Sequence, residues 1–150
     1  MTRFLPWPAN VALRYHDLPA RVVHGIAWLL APWPLVRAYD YLTGIDSSAP
    51  ALAVFNQALP LDMWAALFAV AGSMLLAGLI TRLHTLTWLG HMTCAAVYGG
   101  LSISLVQGAI ASHDGWRSPG PIIVLAVLHL ILGILLRPWP PRDDRGTDAG

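Results

Sequence analysis

Between Asp62 and Asp114 the chain carries one formal charge, Arg82, in a stretch otherwise made of apolar, small and a few neutral polar residues. A helix on the surface of a water-soluble domain needs a polar face, and this stretch has no continuous one to offer. Hydrocarbon is the solvent that suits it, because a helix satisfies its own backbone hydrogen bonds there. The 150 residues as a whole are 56% hydrophobic and 11% charged, with a mean hydropathy of +0.57, outside the usual soluble range. A net charge of +1 supplies no basic patch to neutralise phosphates, so nucleic acid is excluded as a partner. Cys94 is the only cysteine and cannot form an intrachain disulfide. Arg3 is followed by Phe4-Leu5-Pro6-Trp7-Pro8, too short and proline-broken for a signal sequence, so insertion is expected to use the first span.

The expected fold is all-α: four transmembrane helices in one antiparallel bundle covering residues 1–137, with spans at 18–41, 62–81, 85–107 and 120–137. The first opens with Asp17 as a cap and Pro19 in the first turn. Its uninterrupted apolar run, Val22 to Val36, falls short of the roughly 20 residues a bilayer needs, so the helix must include flanking residues. Pro32 and Pro34 predict a kink within it, since each removes a backbone donor and crowds the preceding turn. The second and third spans are joined only by Thr81, Arg82, Leu83 and His84, a hairpin-length connection that makes them antiparallel neighbours. Ser118-Pro119-Gly120-Pro121 starts the fourth. A short helix at 50–59 is expected to lie in the membrane interface. The tail, 138–150, has no apolar period and is expected to be disordered.

Arginine placement sets an orientation. Arg3, Arg14, Arg21, Arg82, Arg137, Arg142 and Arg145 fall on one side of the expected spans, against Arg37 and Arg117 on the other. Cytoplasmic segments retain positive charge, so both termini are expected in the cytoplasm. Trp64, Trp88, Trp116 and Trp139 lie near span ends, as interfacial aromatic belts do.

Within lipid, helices pack closely where small residues let their backbones approach. Ala65, Ala69, Ser73 and Ala77 form such a stripe on the second span, and Ala96, Gly100, Ser104 and Gly108 form one on the third. The plain reading seats these two helices against each other in a monomer. The other reading is self-association.

Ionisable groups inside spans are functional candidates, and here they are His24, His91 and His129. At about 1.5 Å per residue, His91 and His129 sit at a matched depth, about 10–12 Å from the same surface. One imidazole from each of two facing helices is the geometry of bis-histidine haem ligation. It is equally that of a hydrogen bond between helices without any cofactor, which is the favoured reading. Cys94 shares a face with His91 and offers a soft ligand, although a small buried residue is the simpler role. No carboxylate lies near mid-membrane in spans two to four to relay a proton or cation. Arg37 and Asp40, three apart at the end of span one, read as an interfacial anchor. The sequence contains no nucleophile–base pair, phosphate loop or zinc motif; Ser73, Ser102 and Ser104 are expected to bond back to helix carbonyls. No catalytic residue and no metal site is assigned.

Two segments carry a family likeness: Arg21-Val22-Val23-His24-Gly25-Ile26-Ala27-Trp28-Leu29-Leu30 and Leu61-Asp62-Met63-Trp64-Ala65-Ala66-Leu67-Phe68-Ala69-Val70-Ala71-Gly72. From Arg21 to Leu136 the chain resembles the small four-span, holin-like membrane proteins carried by bacteriophages of actinobacteria. The likeness rests on span order, Trp64 opening the second span, Gly72 at its middle and the short turn bearing Arg82. It implies accumulation in the host inner membrane, oligomerisation through helix faces, and lesions that release a lysin or collapse the proton gradient. It implies no cofactor; the partners it implies are the lipid bilayer, further copies of the chain and a membrane or lysis protein. Two other classes stand beside it. One is a non-catalytic membrane scaffold docking a partner; the other is a haem-bearing electron carrier using His91 and His129.

Overall fold

The computed structural model describes residues 20–43, 59–112 and 119–137. The expected interfacial helix at 50–59, apart from Leu59, and the tail at 138–150 lie outside the described residues, as do residues 18 and 19 of the first span. The chain is all-α, with four helices packed antiparallel, the first of them divided into two segments. In chain order the helices are α1, Ala20–Leu30; α2, Pro32–Thr43; α3, Leu61–Thr81; α4, His84–Ser112; and α5, Pro119–Leu135. Helix α2 packs on α3, α3 on α4, and α4 on α5, while α1 touches α2 and α5 more lightly.

The first helical stretch breaks at Ala31, immediately before Pro32. Ala31 N–H still reaches the Ala27 carbonyl at 3.0 Å. Pro32 and Pro34 then remove the donors that would meet the carbonyls of Trp28 and Leu30, and a second helical segment begins at Pro32. The consequence is a docking surface: Pro34 is buried, and with Leu35 it fills the space above Gly72 of α3.

Helix α3 begins after Pro60, with Asp62 in the first turn, where its charge complements the helix dipole. It ends at Arg82, whose backbone is left-handed at φ 57°. Leu83 N–H returns to the Gly78 carbonyl at 3.0 Å, a Schellman-type closure, and α4 starts at the next residue. Glycine is the usual occupant of such a position, since a left-handed backbone costs another residue about 1–2 kcal/mol. The one formal charge of the central stretch therefore stands where the backbone prefers glycine. Arg82→Gly is expected to raise the stability of the purified protein by about 1 kcal/mol, read as a higher midpoint of thermal unfolding in detergent. An unchanged or lower midpoint would show that the guanidinium makes a contact worth more than the backbone relief.

The core runs along the bundle through Leu30, Tyr41, Phe68, Leu75, Leu79, Tyr98, Leu101 and Leu132. The glycines decide how close the helices come, and each serves a different neighbour. Any side-chain carbon at Gly78 would collide with the Thr87 backbone nitrogen, and one at Gly90 would stand 2.6 Å from the Leu75 Cα. These two positions hold the α3–α4 hairpin at backbone contact. Gly133 of α5 instead makes room for a side chain of α4, since an added carbon would lie 2.6 Å from the Met92 sulfur.

Two helices, Leu61–Thr81 and His84–Ile110, are long and apolar enough to cross a membrane; α5, at 17 residues, is a shorter apolar helix. Only 44% of the apolar window of α3, and 39% of that of α4, is buried within the bundle. What faces outward is also apolar: Met63, Leu67, Val70 and Ile80 on α3, Leu89, Ile103 and Ile110 on α4.

Candidate functional site

His91 of α4 and His129 of α5 meet in the middle of the bundle, both fully buried. Their Nδ1 atoms stand 3.0 Å apart, and the ring centroids 5.1 Å apart with planes inclined by 45°. The local sequence explains the meeting. Gly90 brings the turn that carries His91 against α3, and Gly133, one turn beyond His129, makes room for Met92 beside it. A side chain at Gly133 would lie 3.8 Å from the His91 Cβ, an ordinary contact; the atoms it would displace are those of the Met92 side chain.

Tyr98, two turns along α4 from His91, stacks on His129 with ring centroids 5.6 Å apart and planes 17° apart. Phe68 of α3 meets the Tyr98 ring edge-on at 4.8 Å, and Tyr41 of α2 meets Phe68 at 5.8 Å. One aromatic file, Tyr41–Phe68–Tyr98–His129–His91, thus crosses α2, α3, α4 and α5. Aromatic pairs of this kind add about 0.5–1.5 kcal/mol each beyond the area they bury.

A hydrogen bond between two Nδ1 atoms contains one proton: one ring donates and the other accepts. In the neutral pair the donating ring then has a bare Nε2, and the accepting ring carries its hydrogen on Nε2. Both Nε2 atoms are buried and have no hydrogen-bond partner among the described residues, and the Tyr98 hydroxyl is in the same condition. Such groups are costly in a low-dielectric interior, so this level of the bundle is polar without being fully satisfied.

Haem does not fit between these rings as they stand. A metal bound in trans by two imidazoles, at about 2 Å to each, separates the nitrogens by about 4 Å. At 3.0 Å the pair is hydrogen-bonded instead, with no space for an ion between the two nitrogens. Cys94, one turn from His91, is also fully buried, yet among the described residues no group of three or more His, Cys, Asp or Glu side chains assembles as a metal site. His24 is placed elsewhere; it accepts a 3.0 Å hydrogen bond from the Trp28 indole on its own helix. Arg37 and Asp40 are half-buried on α2.

The small-residue stripes are divided between inside and outside. Ala65 and Gly108 are buried, as is Ser104; Ala69, Ala77 and Gly100 are half-buried; Ser73 and Ala96 are exposed. Gly100 faces Trp64, 3.4 Å from where its side chain would begin. Ser102 and Ser104 donate to the carbonyls of Tyr98 and Gly100, four residues back, at 2.7 and 3.4 Å. The tightest contacts fall on Gly72, Gly78, Gly90 and Gly133, which the regular four-residue spacing does not pick out. The available signal was the glycines themselves, each set in an apolar run where helix propensity disfavours it. Comparison with protein-family models, with curated proteins and with solved structures finds no match to this chain.

Proposed function

We propose that the chain is an integral protein of the bacterial inner membrane, crossing it four times with both termini in the cytoplasm, and that it self-associates to permeabilise that membrane in a holin-like manner. One observation carries this reading: the outward surfaces of α3 and α4 are apolar, and each includes an exposed small residue, Ser73 and Ala96. A helix that is apolar all round belongs inside a larger protein or in a bilayer, and only about two-fifths of these helical windows lie within the bundle. The small residues offer a place where a neighbouring copy approaches closely without unseating the monomer. The resemblance to holin-like proteins supplies the biological role.

The test is induced expression in a bacterial host with a potential-sensitive dye. Loss of polarisation and of growth is expected with the wild type, while Ser73→Leu and Ala96→Leu, which leave the buried contacts intact, reduce the oligomers trapped by cross-linking in membranes. Continued growth and polarisation would falsify the lesion reading. In that event a non-catalytic membrane scaffold is the second reading, favoured by the exposed Trp28, Leu29, Trp33 and Tyr39 along α1 and α2, a large apolar surface on which a partner can dock.

A further inference from the structure

We propose that the His91–His129 pair is a proton-operated latch between α4 and α5, closed by one shared proton and opened when both facing nitrogens carry one. The inference concerns the state of this helix pair alone and does not depend on lesion formation. Its basis is the way the rings face: two Nδ1 atoms at 3.0 Å leave room for one hydrogen between them. A singly protonated pair, imidazole with imidazolium, keeps that bond, because one Nδ1 still accepts. A doubly protonated pair presents N–H to N–H and two like charges at contact, and no rotation about the same axis restores an acceptor.

Among the described residues the second charge has no counter-charge on α4 or α5, the helices that carry the pair. From α4 the ring of Tyr98 lies on His129, and the titratable groups around Tyr98 are Cys94 of the same helix and Arg37 and Tyr41 of α2. Helix α3 turns Phe68 toward Tyr98, and Phe68 does not titrate. Helix α5 contains no other titratable side chain, and His24 of α1 is engaged with Trp28. Among the described residues the carboxylates are those of Asp40 in α2 and Asp62 in the first turn of α3. The least costly response to a second proton is separation of α5 from α4 along the seam where Met92 packs on Gly133. Both Nε2 atoms, partnerless while the latch is closed, then gain access to water.

Cys94 provides a native reporter, being the sole cysteine, fully buried, and one turn from His91. The full chain in lipid vesicles is titrated from about pH 7.5 to about pH 4, and labelling of Cys94 by dithiodipyridine, a disulfide reagent that still reacts in acid, is timed at each step. Wild type is expected to label slowly at the upper end and about tenfold or more faster at the lower, as an opening linked to proton uptake requires. His129→Gln and His91→Gln retain a hydrogen-bonding side chain that takes up no proton, so their labelling rates are expected to stay flat. A flat wild-type profile, rapid wild-type labelling at neutral pH, or variants as steep as the wild type each overturns the latch. Should the variants label fast at every pH because the bundle is loosened, the ¹⁵N signals of the wild-type imidazoles decide. They must pass from one protonated Nδ1 to two over the range in which Cys94 becomes reactive, and opening without that change overturns the proposal.

Discussion

Gly90→Val and Gly78→Val are expected to abolish the packed bundle, with the α3–α4 hairpin failing first. At both positions the obstructing atoms are backbone, the Leu75 Cα and the Thr87 nitrogen, and backbone has no rotamer with which to move aside. Overpacking a core usually costs about 1–3 kcal/mol even where side chains can shift. Here the two helix axes themselves must separate, and every contact along the hairpin lengthens with them. Gly99→Ala is the matched control: nothing stands within 4 Å of the carbon it adds, so it should be neutral or stabilise the helix by up to about 1 kcal/mol. Retention of the folded species by size-exclusion chromatography and resistance to protease in detergent read the difference. If Gly78→Val behaves as Gly99→Ala does, the helices are not in backbone contact and the account of the hairpin is wrong.

That contrast also shows what could be read from the sequence and what could not. The lack of charge between Asp62 and Asp114 announces apolar helices, and the lone Arg82 marks the turn between two of them. The helical segments Leu61–Thr81, His84–Ser112 and Pro119–Leu135 stand beside the anticipated 62–81, 85–107 and 120–137. The first span hides more, because a proline pair forecasts a disturbance without saying whether the rod bends or divides; it divides at Ala31. Helix faces were the least legible. A four-residue stripe presumes one neighbour per helix, yet Gly72 and Gly78 of α3 lie six residues apart, about one and two-thirds turns, and so face different partners, α2 and α4. No single periodicity describes a helix that is gripped from two sides. The histidine depths were a one-dimensional clue; which nitrogens face each other is a property of ring rotation that no spacing encodes.

Replacing either buried histidine alone should cost more than replacing both. His91→Leu leaves His129 with both of its ring nitrogens in the bundle interior and no partner for either; His129→Leu does the same to His91. Stranding a buried polar group in this way costs about 1–3 kcal/mol. The double variant removes both imidazoles together and fills the level with hydrocarbon, so most of the loss is expected to return, giving a coupling in a double-mutant cycle at least as large as the cost of one single variant, about 1–3 kcal/mol. Unfolding midpoints in a denaturing detergent titration supply all four corners of the cycle. Strict additivity, with the double variant as unstable as the sum of the singles, would mean that the rings contribute through shape, as part of the Tyr98–His129 stack, and that the 3.0 Å contact holds little energy of its own. Strong coupling would instead locate the specificity of the α4–α5 pairing in one proton shared between two rings. That single hydrogen bond would then fix the register of α5 together with the Tyr98 ring on His129 and Met92 on Gly133.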